Sequence, residues 1–202
     1  MARKVKAVLF DLGDTLMIEE TEVKDPTGTT LSADLFPGAA ATVKRLKAEG
    51  YPLALVADTR IGTYKNVLNQ HGLYEYFDAF AISDEIGSLK PAPEMFDKAI
   101  SDLGLRASDR HQVLMVGNNL ARDVAGANRA GIISVWCRFN ERYPGTPASD
   151  DERPVYRIDR IESVLDVLAE AERALNEGPG AFDPELALLH APVIYFDSRE
   201  PF

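Results

Sequence analysis

Val5-Lys6-Ala7-Val8-Leu9-Phe10-Asp11-Leu12-Gly13-Asp14-Thr15-Leu16 decides how the rest of the chain is read. Its first half is a short β-branched and apolar run that stops at a polar turn, which is how a strand buried on both faces of a parallel sheet reads. The pattern then repeats. Pro37-Gly38 opens a segment with Ala39, Val43 and Leu46 on one helical face, and Gly50 closes it. Leu53–Ala57 reads as a second strand, and Tyr64, Val67, Leu68 and His71 line a helix that Gly72 ends. Residues 79–82, 113–116 and 132–136 read as further strands, with helices over 94–103 and 120–130 between them. This alternation predicts an α/β fold, a Rossmann-like three-layer α/β/α sandwich with a central parallel sheet.

Beyond the last of these strands, residues 138–154 turn polar, with Pro144, Gly145, Pro147 and the pair Asp150-Asp151, and read as a surface loop. Ile161, Val164, Leu165, Leu168, Ala171 and Leu175 then mark a final amphipathic helix, ended by Gly178-Pro179-Gly180. Residues 1–177 therefore form one domain, in keeping with a chain of 202 residues. Residues 178–202 form an apolar tail with Leu186, Leu188, Leu189 and the run Val193-Ile194-Tyr195-Phe196. Such a tail must dock. It packs on its own sheet, mediates contact in a homodimer, or begins a region outside this chain.

A content of 46% apolar and 27% charged residues is that of a globular protein. The balance of 22 Lys and Arg against 32 Asp and Glu gives a net charge of −10, which argues against nucleic acid and anionic membranes as partners. Cys137 is the single cysteine, so no disulfide forms within the chain, and a reducing, cytoplasmic setting is expected. The apolar run at the start is interrupted by Lys6 and too short for a secretory signal, and no stretch approaches the roughly 18 apolar residues of a membrane span.

Open parallel sheets bind ligands at the carboxyl ends of their strands. The residues there are Asp11-Leu12-Gly13-Asp14-Thr15, then Asp58-Thr59-Arg60, Lys90-Pro91, and Gly117-Asn118-Asn119 with Asp123 beyond. Asp, Lys and a second acidic group converging on one rim supply a nucleophile, a cation for a dianionic group and oxygen ligands for a metal. An aspartate with an ordinary pKa of about 4 is already ionised at neutral pH. What it needs is relief from repulsion as it approaches a phosphate.

Phe10-Asp11-Leu12-Gly13-Asp14-Thr15-Leu16, Leu89-Lys90-Pro91 and Val116-Gly117-Asn118-Asn119 through Asp123 occur in order at strand ends. Over about residues 5–136, this ordered set resembles the haloacid dehalogenase superfamily of aspartate-nucleophile hydrolases, in a capless or minimally capped form. The resemblance implies a phosphatase that forms an aspartyl-phosphate at Asp11 with the help of Mg²⁺. Its metal ligands would be the Asp11 carboxylate, the Gly13 carbonyl, Asn118 and Asp123. Lys90 would join the nucleophile to the substrate oxygens, and Asp58, Thr59 and Asn118 would contact substrate, with Thr59 preferred over Asp58 as the phosphate donor. The implied substrate is a phosphorylated small molecule or an exposed phosphate on a larger one.

Three positions depart from the family's pattern. Phosphatases of the family usually carry a second Asp two residues after the nucleophile, as general acid to the leaving alcohol, and here that position is Gly13. The hydroxyl expected at the end of the second strand is replaced by Ala57, and the fourth motif reads Gly117-Asn118 where Gly-Asp is usual. Loss of a general acid costs about 10²–10⁴ in rate and falls hardest on poor leaving groups. A slow phosphatase is therefore expected, with two other readings open: a binding module that keeps the site without turnover, and a metal-independent dehalogenase-like hydrolase. No large cap fits before Pro37 or between Arg60 and Leu89, so the rim is open unless residues 17–36 or the tail cover it. Asp14 is expected to hydrogen-bond within its loop, and His71, on an apolar helix face, to be packed.

Overall fold

The structure, a computed structural model, describes residues 3–177 and 194–195. In chain order its elements are β1 (Ala7–Phe10), β2 (Val23–Lys24), β3 (Thr30–Ser32), α1 (Ala39–Ala48), β4 (Leu53–Ala57), α2 (Ile61–Gln70), β5 (Ala79–Ile82), α3 (Ser83–Ile86), α4 (Pro93–Asp102), β6 (Val113–Gly117), α5 (Ala125–Arg129), β7 (Ile133–Cys137), β8 (Tyr156–Ile158), α6 (Val164–Glu177) and β9 (Ile194–Tyr195). Seven strands form one sheet in the order β5-β4-β1-β6-β7-β8-β9, and every pairing in it is parallel. β1 lies between β4 and β6, with Val8 beside Leu53 on one side and Leu114 on the other. The loop that begins at Asp11 thus leaves the inner part of the sheet.

Side chains alternate across a strand, and β1 uses both faces. Val8 and Phe10 join the core under α1, α2 and α6, where Val43, Leu46, Val67, Leu68, Val164 and Val167 are buried. Ala7 and Leu9 join the opposite core with Met95, Phe96, Ala99 and Ile100 of α4 and Ala127 of α5. These are the three expected layers. Burial on both faces explains why the strands read as unbroken apolar runs.

Three elements go beyond the reading of the sequence. β8 continues the sheet between the loop expected at 138–154 and the last helix, over residues to which the sequence reading assigned no element; three residues are too few to show a period. β2 and β3 form a small antiparallel hairpin within residues 17–36, its turn held by Asp25, whose Oδ1 accepts from the Thr27 and Thr29 backbone amides at 2.8 and 2.9 Å. Residues 120–124 form a wide π turn ahead of α5 where one regular helix was expected. Of the tail at 178–202, only Ile194–Tyr195 lies within the described residues, and it adds β9 to the sheet edge beside β8.

Phe96 is fully buried, and its ring packs so closely on Gly126 that a Cβ there would collide with it. Phe96→Ala is expected to lower unfolding free energy by about 3–5 kcal/mol in urea titrations, the cost of a large buried ring. A loss below about 1 kcal/mol would mean that this face is loosely packed.

Candidate active site

The cluster begins with a backbone bond: the Asp11 amide donates to the Val116 carbonyl at 2.9 Å, carrying the sheet ladder one residue past β1. Asp11 is thereby set beside the end of β6. Lys90, on the loop between α3 and α4, reaches in from the other side. Its Nζ lies 2.6 Å from Asp11 Oδ1 and 2.7 Å from Asp123 Oδ1, and it donates to the Val56 carbonyl at 2.8 Å. Asp11, Lys90, Asn118 and Asp123 are all buried.

Each arm of the cluster has its own brace. Asp58 Oδ1 accepts the Lys90 backbone amide at 2.9 Å, and Asp58 Oδ2 pairs with Arg122 at 3.3 Å. Asn119 caps the π turn by accepting from the Ala121 and Arg122 amides at 3.0 and 3.1 Å, while its own amide donates to Asp123 Oδ2 at 2.9 Å. That turn folds Asp123 back over the strand end so tightly that a Cβ on Gly117 would overlap its carboxylate. Trp136 Nε1 donates to the Asn118 carbonyl at 2.9 Å and fixes the loop below.

One cation stands between two carboxylates, so one negative charge is left over in a buried place. Burial pushes the Asp11 carboxyl up from its ordinary range, opposed by Lys90 and reinforced by Asp123. Burial alone would lower Lys90, yet Asp11, Asp123 and Asp58 outweigh it and hold the amine protonated. Burial leads the first shift and the neighbouring carboxylates the second, and an added hard cation would offset the surplus negative charge. Among the described residues no three Asp, Glu, His or Cys side chains gather as a metal cluster. The donors are two carboxylates, the Asn118 amide and the Gly13 carbonyl. The Asn118 Nδ2 atom is buried without a hydrogen-bond partner among the described residues, and the amide oxygen of an asparagine is a ligand type that hard cations accept. An all-oxygen set with few protein donors fits Mg²⁺, which keeps several of its waters.

Asp11, Gly13, Asp58, Thr59, Lys90, Asn118 and Asp123 all line a single cavity of about 270 Å³, so the structure brings every expected site residue together. Ala57 lines it too, where a hydroxyl was looked for. The rim is partly covered, since Glu22, Lys24, Gly28 and Thr30 of the hairpin segment close over the cavity. The hairpin is tied to α2: the Thr30 amide donates to Thr63 Oγ1 at 3.0 Å, and Asn66 Nδ2 to the Thr30 carbonyl at 2.9 Å. His71 serves the same attachment, with Nε2 2.8 Å from the Ala33 carbonyl. Asp14 holds the loop together, accepting the Glu19 amide at 3.0 Å and pairing with Arg142 at 2.8 Å.

Sequence reasoning missed Glu19, Lys24, Arg122 and Tyr143, which also line the cavity. Nothing in the local pattern marks them, because they come from the lid, the π turn and the polar loop after β7. Burial, reinforced by Asp14, pushes the Glu19 carboxyl up against the pull of Arg142.

The fold class is a parallel α/β sandwich with a charged site at its carboxyl rim. The sequence profile of the haloacid dehalogenase-like hydrolases matches residues 24–131, over half of the chain, and the chain belongs to that family. Asp11 lies ahead of the matched stretch. The glyceraldehyde 3-phosphate phosphatase of Methanopyrus kandleri is 33% identical over 135 residues, covering 67% of this chain and 57% of that protein. The ribulose-1,5-bisphosphate 5-phosphatase of Halopiger xanaduensis is 30% identical over 139 residues, covering 67% and 57%. The chain thus spans little more than half the length of these relatives. Among solved structures, a HAD phosphatase from Thermococcus onnurineus superposes with a TM-score of 0.65 at 21% identity, over 81% of this chain and 97% of that one. A 2-haloacid dehalogenase from Pseudomonas syringae superposes with a TM-score of 0.64 at 19% identity, over 82% and 99%. At these identities the likeness is one of fold.

Lys90→Ala strips the shared cation from two buried acids. The expected cost is about 3–5 kcal/mol of stability at neutral pH, by urea unfolding. A cost under about 1 kcal/mol is the signature of a solvated pair and would contradict the buried cluster described above.

Proposed function

We propose that this chain is a Mg²⁺-dependent phosphohydrolase whose nucleophile is Asp11 and whose covalent intermediate is an aspartyl-phosphate. The observation that carries the reading is the Asp11–Lys90–Asp123 cluster, a carboxylate held against a fixed cation in a charged cavity at the strand ends. Mg²⁺, held by Asp11, Gly13, Asn118 and Asp123, would supply positive charge against the repulsion between carboxylate and phosphate.

The remaining work falls to the chain's own side chains. Lys90 orients Asp11 through Oδ1 and offers its charge to the phosphoryl oxygens. Thr15 Oγ1, 3.4 Å from Asp11 Oδ2, steadies the other oxygen. Asp58 sets the height of Lys90 through its backbone amide and holds Arg122 at the cavity wall, so its part is positioning as much as contact. Thr59, Arg60, Arg122 and Lys24 place donors on the cavity wall for the rest of the substrate. A cavity of about 270 Å³ suits a small phosphorylated metabolite, and the names of the two sugar-phosphate phosphatases similar to it support that class. The net charge of −10 favours such a substrate over nucleic acid. The single cysteine suits a reducing, cytoplasmic setting.

The test is hydrolysis of a panel of sugar phosphates, aryl phosphates and acyl phosphates with Mg²⁺ and with EDTA, beside Asp11→Asn. Turnover that requires the metal and is lost by a factor of at least about 10³ in Asp11→Asn is expected, as for removal of a nucleophile. Phosphate binding without turnover would instead identify a binding module. Metal-free release of halide from haloacids would identify the dehalogenase chemistry.

A further inference from the structure

Cleavage of an alkyl phosphate leaves an alkoxide that needs a proton, and Gly13 has no side chain to give one. The space beside Gly13 is nevertheless filled. A Cβ built on Gly13 collides with Glu19 Oε1, so the Glu19 carboxylate stands where a side chain at position 13 would begin. Gly13 has no positive φ. Its small size therefore serves the close approach of Glu19 rather than a special backbone conformation.

Five carboxylates line the cavity: Asp11, Glu19, Glu22, Asp58 and Asp123. Asp11 is the nucleophile in the reading above. Both oxygens of Asp58 are engaged, with the Lys90 amide and Arg122, and both of Asp123, with Lys90 and the Asn119 amide. Glu22 is held by Thr30 Oγ1 through Oε1 and by Lys24, 2.8 Å away, through Oε2. Glu19 differs. Its Oε2 pairs with Arg142, and its Oε1, turned to Gly13, takes no hydrogen bond or ion pair among the described residues. The Glu19 backbone is fixed as well, since its amide donates to Asp14 Oδ1 at 3.0 Å, and Asp14 pairs with the same Arg142.

From this geometry we infer that Glu19, carried by the lid segment, is the general acid and base of the reaction, in place of the side chain that position 13 lacks. The inference rests on the phosphohydrolase reading. In the first half-reaction an Asp11 carboxylate oxygen forms a bond to phosphorus and the bond from phosphorus to the leaving oxygen breaks. The electron pair of that bond stays with the leaving oxygen, which takes the proton of the Glu19 carboxylic acid and departs as the alcohol. In the second, the Glu19 carboxylate takes a proton from water as the water oxygen bonds to phosphorus and the bond to Asp11 breaks. Inorganic phosphate leaves, Asp11 is again a carboxylate and Glu19 is again protonated. Arg142 is a positioning residue that aims Glu19 from the side away from Gly13.

The experiment compares wild type, Asp11→Asn and Glu19→Gln on alkyl phosphates and on aryl and acyl phosphates, with Mg²⁺ present, and follows the phosphorylated protein by intact mass after rapid quenching. Glu19→Gln is expected to lose about 10²–10⁴ in kcat/KM on alkyl phosphates and far less on acyl phosphates, whose leaving groups need no proton. It should also accumulate phosphoprotein on acyl phosphates, because the water step lacks its base, and this accumulation should be absent from Asp11→Asn. Gly13→Asp combined with Glu19→Ala, which opens the space and refills it from the loop, should recover alkyl phosphate turnover over Glu19→Ala alone. Wild-type turnover lost in Asp11→Asn, but with Glu19→Gln equally active or equally impaired on every leaving group and no phosphoprotein retained, overturns the role of Glu19 and leaves the phosphohydrolase standing. A wild type that hydrolyses none of the substrates overturns both.

Discussion

A lysine ammonium held between two buried carboxylates is costly to assemble, because each ion must shed its water and the pairings must restore what was lost. Much of the rim architecture follows from that requirement. Lys90 reaches the cluster only because Asp58 holds its backbone amide and the Val56 carbonyl accepts one of its protons. Asp123 reaches it only because the chain takes a wide π turn, capped by Asn119, over a strand end kept bare at Gly117. Elements far apart in sequence are thereby bound to one charge, and β1, β4 and β6 must keep their register for the three groups to meet.

The core strands and the groups on them were legible because periodicity and strand ends are local signals. Asp11 and Asp58 each sit at a break between an apolar run and a polar turn, and a parallel sheet gathers such breaks on one side; Lys90 and Asp123 lie further along the following segments and were legible through the ordered motifs. The hairpin at 23–32, the strand at 156–158 and the π turn were not legible. The hairpin is polar and anchored by Thr63, Asn66 and His71 of α2, so its stability comes from a partner element rather than from its own pattern. His71 was read as packed. The structure adds that its ring faces a backbone carbonyl of the lid segment. Asp14 was expected to stay within its loop, and it does, while also recruiting Arg142 from a segment more than a hundred residues away.

The departures from the family's motifs look different once the neighbours are known. Read alone, Gly13 removes a carboxylate and Asn118 removes a charge. In the folded chain Gly13 admits the Glu19 carboxylate from residues 17–36, and Asn118 lines the cavity with a neutral amide, which lowers the negative charge that Lys90 must offset. A single-sequence reading counts what each position lacks. It has no access to what moves into the space.

The site therefore divides into a floor and a cover with different physical demands. The floor of Asp11, Lys90 and Asp123 is buried, mutually charged and braced by backbone bonds, so a change there costs stability and, in the proposed reaction, would cost chemistry as well. The cover, residues 17–36 with Arg142 and Tyr143 beside it, is half-exposed and held by hydrogen bonds worth about 1 kcal/mol each. Its exposed polar residues carry little of the fold, whereas Met17 and Ala33 are buried in the core beneath it. Placing a proton-transfer group on the cover would make the proposed chemistry depend on two separate sets of bonds: Asp11 is held by its backbone bond to β6 and by Lys90, whereas Glu19 is held against Gly13 through Asp14 and Arg142.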